Sequence, residues 1–407
     1  MAESCCECGN AEVLLFSKPA MKYYLIAGEA SGDLHGAQLV RALRQMDPEA
    51  VLRGWGGDLM AAQGMQLDVH YRHTAFMGFV EVVRNLPAIF RLMKRCKRDV
   101  SRFQPHALIL IDYPGFNLRM AQWAHAQGIK VCYYISPQVW AWKESRVHTI
   151  GSVVDRLYVI LPFEADFYAR HGIQAHYFGH PIVDEVHEFR MQHPPDRVAF
   201  AERHGLNPQR PIVALLPGSR KQEIERSLQV MLGVANRHAD KQFVVAAAPS
   251  LPPSYFASLL QGAGQVQHGV KWVHGQTWPL LSVADAALVT SGTATLEAAM
   301  FGVPQVVCYR GNWLSYYIAR RLVKVPYISL VNLIMDEPLV EELIQSDFNE
   351  RRTSAALKAL FVPERRSALS AGYEALRQKL GQVGVSVRVA RDIVKHCTCN
   401  AREDALR

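Results

Sequence analysis

A chain of 407 residues with a net charge of +8 is too long for one ordinary domain and leans towards an anionic partner: nucleic acid, a phosphorylated substrate or an acidic membrane face. Apolar residues at 49% and charged residues at 20% are those of a soluble globular protein. No segment approaches the roughly 18 to 20 uninterrupted apolar residues that a spanning helix needs.

The opening "MAESCCECGNAEVLLFSKPAMKYYL" has no basic stretch before an apolar core, which argues against a secretory signal and for the cytoplasm. Residues 1–20 read as an appended, disordered extension, because Met21 runs directly into the first strand. Cys5, Cys6 and Cys8 stand at one end, Cys397 and Cys399 at the other. "CCEC" and "CTC" lack the two-residue spacing of zinc knuckles, so reduced thiols and no metal are expected.

The first structured stretch, "YYLIAGEASGDLHGAQLV" (Tyr23 to Val40), passes from a strand through a glycine-bearing loop into a helix. That plan commonly cradles a phosphate. Here, however, the loop carries Glu29 and Asp33 and no lysine, and two negative charges repel an anion. Further apolar runs follow at 106–112, 130–136 and 156–162, then at 211–218, 242–249, 284–292 and 304–310. Each precedes residues at helical spacing, the signature of parallel sheets with crossover helices. The series breaks at 191–210, a polar stretch with prolines. The expectation is an α/β protein of two doubly wound, Rossmann-like domains, 21–190 and 211–375, facing a cleft across a linker. Residues 376–407 form a last helix and tail, free to pack on either domain or on a partner subunit.

Within the first half, "NLPAIFRLMKRCKRDVSRF" sets Leu86, Ile89, Phe90 and Met93 on one helical face. Arg91, Lys94, Arg95, Lys97, Arg98 and Arg102 crowd beside them against Asp99. An apolar face beside dense positive charge suits an acidic membrane; a core-facing helix with a solvated basic side fits equally. Nucleic acid is not expected, since no binding motif accompanies the charge. "ILIDYPGFNLRMAQWA" puts Asp112 at the end of a strand, where a general base belongs, with Asn117 able to cap the next helix. The alternative for Asp112 is bonding to loop amides. In "SPQVWAWKESRV", Trp140 and Lys143 suit a sugar phosphate or lipid headgroup, or simply a packed loop.

The second half carries two anion-binding turns. "LPGSRKQEIERSL" presents Gly218, Ser219 as a helix cap, and Arg220, well matched to a diphosphate. "LVTSGTATLEAAMFGVPQVV" ends a strand in Ser291, Gly292 and Thr293 and starts a helix at once. Glu297, one turn in, suits ribose hydroxyls, with a capping box as the structural alternative. Neither turn is a Walker loop or a dinucleotide fingerprint.

Nine ordered blocks resemble the lipid-A-disaccharide synthase family: "YLIAGEASGDLHGA", "GWGGDLMAAQGM", "MGFVEVV", "YYISPQVWAWKESRV", "LPFEADFY", "GHPIVDE", "LLPGSRKQEI", "TSGTATLEAAMFGVPQVVCYR" and "VPYISLVNLIMDEPLVEELIQ". The resemblance covers about residues 21–395 and implies a metal-free, inverting glycosyltransferase of the GT-B fold. It implies transfer from UDP-2,3-diacylglucosamine to 2,3-diacylglucosamine 1-phosphate, at the cytoplasmic face of the inner membrane of a Gram-negative bacterium. UDP is a product, no cofactor is implied, and a homodimer is left open. Asp112 matches the family's base. Gly218, Ser219, Arg220, Ser291, Gly292, Thr293 and Glu297 match its nucleotide site, with Tyr309, Arg310 and Asn332 in neighbouring blocks. The acylated substrates favour membrane docking by the helix at 86–102. The opening loop then reads as a catalytic and acceptor element: Glu29 and Asp33 bind sugar hydroxyls or steady an oxocarbenium-like centre, and Ser31 or Asp33 caps the helix. Two other classes stay open: a UDP-sugar 2-epimerase on soluble substrate, and a non-catalytic protein that binds anionic lipid.

Overall fold

The computed structural model describes residues 20–73, 86–142, 144–262, 269–311 and 326–404. Two parallel sheets organise them. The first contains β1 (Lys22–Ala27), β2 (Val51–Gly56), β3 (Gln66–His70), β4 (Ala107–Ile111), β5 (Lys130–Tyr134), β6 (Arg156–Val159) and β7 (Ala175–Tyr177), in the order β3-β2-β1-β4-β5-β6-β7. The second contains β8 (Ile212–Leu216), β9 (Gln242–Ala247), β10 (Lys271–His274), β11 (Ala286–Thr290), β12 (Gln305–Tyr309) and β13 (Glu341–Ile344), in the order β10-β9-β8-β11-β12-β13.

Central strands are buried on both faces because crossover helices cover both sides. Tyr23 and Leu25 of β1 face one core with Leu39 and Leu43 of the helix Ala30–Met46. Tyr24 and Ile26, pointing the other way, face a second core with Phe116, Met120 and Val100. The eight apolar runs of the sequence correspond to strands, and β2, β3, β7, β10 and β13 are additional. Four of these five are sheet edges. An edge is covered less completely than the centre, so it needs no apolar run. In β2 the pattern is interrupted by Arg53, Gly54 and Gly56; the Arg53 Nε bonds Asp68 of β3 at 2.7 Å.

The polar stretch 191–210 holds the helix Arg197–His204, capped by Asp196, which accepts the Ala199 amide at 2.9 Å. Arg197 bonds the carbonyls of Pro208, Arg210 and Val283 and the carboxylate of Asp285, so this helix belongs to the second domain. The last helix, Val385–Asp404, returns to the first: Val389, Ala390, Ile393 and Cys397 join the core that holds Leu39 and Leu43. Asp184 anchors its start by accepting the amides of Gly384, Val385 and Ser386 at 2.6, 3.1 and 2.9 Å. The two chain crossings between domains thus touch: His180 N–H donates to the Leu380 carbonyl at 2.8 Å. A Cβ on Gly381 (φ +93°) meets the Gly179 Cα at 3.1 Å, which requires glycine there.

Candidate functional site

In each sheet the strand order reverses at one point, between β1 and β4 in the first and between β8 and β11 in the second. Loops diverge there and leave a crevice beyond the carboxyl ends of the strands. The sequence-predicted groups cluster at these two points.

At the first, Gly28 and Glu29 follow β1 while Asp112 and Tyr113 follow β4. A Cβ on Gly28 lies 2.4 Å from the Tyr113 ring, so the two loops pack without space for a side chain. Asp112 (φ +45°) and Tyr113 (φ +49°) are consecutive left-handed residues, an uncommon and costly conformation. It is fixed from behind: the Asp112 carbonyl accepts from Asn117 Nδ2 at 2.8 Å and Tyr133 Oη at 2.7 Å. The carboxyl of Asp112 is pushed up to about 6, first by burial and then by Glu29, with His35 and the Tyr113 amide pulling it down. A carboxylate poised there is a competent general base at neutral pH.

At the second point, Gly218 (φ +113°) ends the turn after β8, and a Cβ there lies 3.7 Å from Thr290 Cγ2 at the end of β11. The turns after β8 and β11 are therefore adjacent. Arg220 is the N-cap of the helix Lys221–Asn236 without a side-chain cap bond, and its Nη1 donates to Glu223 at 2.8 Å while the side chain stays 69% exposed. Gly292 (φ +153°) is the N-cap of the helix Thr293–Met300, and Thr293 is exposed beside it. Arg310 is exposed and Tyr309 half-buried at the end of β12. Glu297 is pushed up to about 7, chiefly by burial; a bond from the Trp278 side chain and the charge of His35 oppose the rise, and Glu185 adds to it.

The structure corrects several residue roles. Asp33 is 3% exposed and neither caps its own helix nor faces the cleft. Its carboxylate accepts the amides of Gly57, Leu59 and Met60 at 2.7, 3.2 and 3.1 Å, capping the neighbouring helix Asp58–Ala62. Ser31, exposed in the first turn, does not cap either; Glu29 is the N-cap and makes no side-chain cap bond. Asn117 is buried inside the helix Pro114–Ala126 and holds the carbonyls of Ile26, Ile111 and Asp112 rather than capping. Ser219 is not a cap. Ser291 donates its hydroxyl proton to the Ile328 carbonyl at 2.7 Å, leaving lone pairs rather than a donor for an anion.

Asn332 is 1% exposed, bonded to both the amide and the carbonyl of Val340 and to Glu342, and is a structural tie rather than a nucleotide contact. Trp140 packs edge-on against Phe163 and donates Nε1 to buried Glu164 at 3.0 Å, which is the packed-loop alternative. On the helix Leu86–Phe103, Met93 is 8% exposed and packs with Cys96 and Val100 into the domain core, so it is not a docking residue. Ile89 is half-buried, whereas Phe90 is 65% exposed and shares the outer side with Arg91, Lys94, Arg95 and Arg98. Lys97 lies 5.7 Å from the Trp123 ring centroid. Lys143 and the Leu86 side chain fall outside the described residues. Among the described residues no group of three His, Cys, Asp or Glu is placed to hold a metal ion, and no helix is long and apolar enough to cross a membrane.

Sequence reasoning missed His35 and Glu185. Their side chains meet at 2.5 Å, joining the helix Ala30–Met46 to the helix Ile182–Gln192. The available signal was an acid at 5% exposure among the buried Ile182, Val183 and Val186 of one helical stripe. His35 feels Asp112 from the first domain and Glu297 from the second. A cavity of about 300 Å³ bordered by Leu34, Leu59, Glu185, Phe189 and Trp278 opens beside this cluster.

The family model for lipid-A-disaccharide synthetase matches residues 23–389. The chain belongs to the lipid-A-disaccharide synthetase family. Within that family, the lipid-A-disaccharide synthase of Myxococcus xanthus is 38% identical over 376 residues, covering 91% of this chain and 96% of its own. The one from Syntrophus aciditrophicus is 40% identical over 371 residues, covering 90% and 95%. Among solved structures, UDP-GlcNAc 2-epimerase from Neisseria meningitidis bound to UDP-GlcNAc superposes with a TM-score of 0.66 at 12% identity, covering 92% of this chain and 100% of its own. The glycotransferase of kitacinnamycin gives a TM-score of 0.61 at 12% identity, covering 93% and 100%. At such identity these last two speak for the GT-B-like fold alone. The twin-sheet frame of this chain thus recurs in a UDP-GlcNAc 2-epimerase and in a glycotransferase.

Proposed function

We propose that the chain is a hexosyltransferase that joins UDP-2,3-diacylglucosamine to 2,3-diacylglucosamine 1-phosphate, giving the β-1,6-linked disaccharide 1-phosphate and UDP. One observation carries the reading beyond family membership. The loops after β1 and β4, with Glu29 and Asp112, and the turns after β8 and β11, with Glu297 one turn into the following helix, stand at the switch points of the two sheets, which supports a base on one side and a nucleotide site on the other.

The donor's diphosphate lies against the turns Gly218–Arg220 and Ser291–Thr293, where helix amides and the cation of Arg220 balance the charge that grows on departing UDP. Arg310 follows β12, the neighbour of β11, and its cation adds to that field. Glu297 accepts ribose hydroxyls. Asp112 takes the proton of the acceptor 6-hydroxyl; that oxygen forms the bond to the anomeric carbon from the face opposite UDP, which leaves with its bonding pair. Attack from the opposite face inverts the centre, and Glu29 steadies the positive charge that develops on the sugar ring. The compensation comes from amides and arginines, without a metal ion. Both substrates are acylated, so the exposed Phe90 among Arg91, Lys94, Arg95 and Arg98 serves as a peripheral contact with the acidic cytoplasmic face of the inner membrane.

The test is turnover of both acylated sugars in detergent, with disaccharide and UDP measured together. Inversion at C2 of UDP-N-acetylglucosamine, followed by proton NMR with no disaccharide formed, rejects the transfer in favour of an epimerase.

A further inference from the structure

The helix Ile182–Gln192, which carries the chain from the first domain to the second, has two unlike faces. Its apolar residues Ile182, Val183 and Val186 join the core of the second sheet with Leu296, Ala299 and Met300. Arg190 donates Nη2 to the Met300 carbonyl at 3.0 Å, and Phe189 meets the rings of Trp278 and Phe301 at 5.4 and 5.8 Å. None of these residues joins the core that holds Leu39 and Leu43 of the helix Ala30–Met46. Burial therefore commits the connecting helix to the second domain.

What it offers the first domain is polar. Glu185 meets His35 at 2.5 Å. One turn on, Glu188 accepts from both guanidinium nitrogens of Arg41 at 2.7 and 2.9 Å and from Gln38 Nε2 at 2.7 Å. His35, Gln38 and Arg41 follow one another at intervals of three and form one row along their helix. Gln38, Arg41 and Glu188 line two cavities at once. One, of about 300 Å³, adds Ala37 and Phe189; the other, of about 410 Å³, adds Ala42 and Met191 from the opposite flanks of the same two helices. The helices thus meet along a polar ridge with open space on either flank. Among the described residues, Leu161 is the first domain's one buried side chain in the second core. With so little apolar burial between the domains, a change in their mutual angle is expected. The two chain crossings touch where His180 donates to the Leu380 carbonyl, and Asp184 beside them holds the start of the last helix. A rotation about that place leaves Asp184 nearly still and moves Glu188, one turn further along, the most.

We propose that this ridge, His35 with Glu185 and Gln38 with Arg41 and Glu188, is a latch that holds the two domains closed over the crevice. Opening exchanges its hydrogen bonds for bonds to water, a nearly balanced trade that an apolar interface does not permit. Substrates enter and products leave the crevice in the unlatched arrangement.

The experiment is small-angle X-ray scattering coupled to size exclusion on the full chain without substrates, in wild type, Glu188→Arg, Arg41→Glu and the charge-swapped double variant. A compact chain of this length has a radius of gyration of about 22 Å, and each single variant should raise it by about 1 Å. The double variant should bring it back, and every variant should keep a cooperative melting transition. Glu188→Gln, which keeps the side-chain shape, should move the radius the same way by less. In turnover the single variants should raise KM about fivefold with kcat within about twofold, because fewer molecules are in the binding arrangement. A radius that stays put in both single variants, or a double variant no closer to wild type than either single, overturns the proposal. Scattering does not depend on the reaction. A chain that opens and recloses as expected but transfers no sugar supports the latch and overturns the proposed transfer; transfer with an unmoved radius overturns the latch alone.

Discussion

Asp112→Asn separates catalysis from stability at one atom. The carboxyl is moved from 3.8 to about 6 by burial and Glu29. At 1.36 kcal/mol per pK unit, the difference of about 2 corresponds to about 3 kcal/mol that ionised Asp112 costs the fold at neutral pH. The sign follows from linkage. A group whose folded value is raised leaves the fold unburdened below about pH 4 and burdens it fully above about pH 6. Asparagine carries no charge, tolerates the left-handed backbone at φ +45°, and can still accept the Tyr113 amide. The variant should therefore melt higher than wild type at pH 7.5 by several degrees, at about 2–4 °C per kcal/mol for a domain of this size, and match it near pH 4. Turnover should fall by about 10²–10⁴, the ordinary worth of a positioned base. In wild type, kcat/KM should rise towards a plateau through an inflection near pH 6, reaching about a tenth of that plateau at pH 5. A variant that is less stable at pH 7.5, or one that gains equally at pH 4, refutes the assignment of buried charge; retained turnover refutes the base.

Asp184→Ala removes the acceptor for three amides at the start of the last helix. It should lower stability by about 2 kcal/mol in denaturant titration and expose residues 381–384 to limited proteolysis. Asn332→Ala leaves the Val340 amide unpaired. About 2 kcal/mol should be lost while UDP affinity, read by calorimetry, stays within about twofold, and a larger drop in affinity would restore Asn332 to the nucleotide site. Phe90→Asp with Lys94→Glu should abolish co-sedimentation with vesicles of anionic lipid while the melting temperature and UDP affinity hold, since Phe90 is 65% exposed; vesicle binding that survives places membrane contact elsewhere.

The central strands were legible because burial on both faces demands continuous apolar runs, as in "HALILID" and "PIVALLPG". The edge strands β3, β7, β10 and β13 were not, since their polar and mixed residues form strands only when a neighbour supplies the ladder. The candidate site divides in the same way. Asp112, Glu29 and the turns at 218–220 and 291–293 were readable because a strand-to-helix loop names its own place at the sheet's carboxyl end.

By itself the sequence determined the α/β class, the two-domain plan, the position of the charged loop "GEASGD" and the family. Only the tertiary structure decided what each polar side chain is for. Asp33, Asn117 and Asn332 look identical to ligand-binding residues in one dimension, but burial obliges each to satisfy backbone groups from another segment. Met93 turned inward because one helix face packs on the first sheet. The meeting of His35 with Glu185 has no local signature, since it depends on how two helices 150 residues apart in sequence pack together.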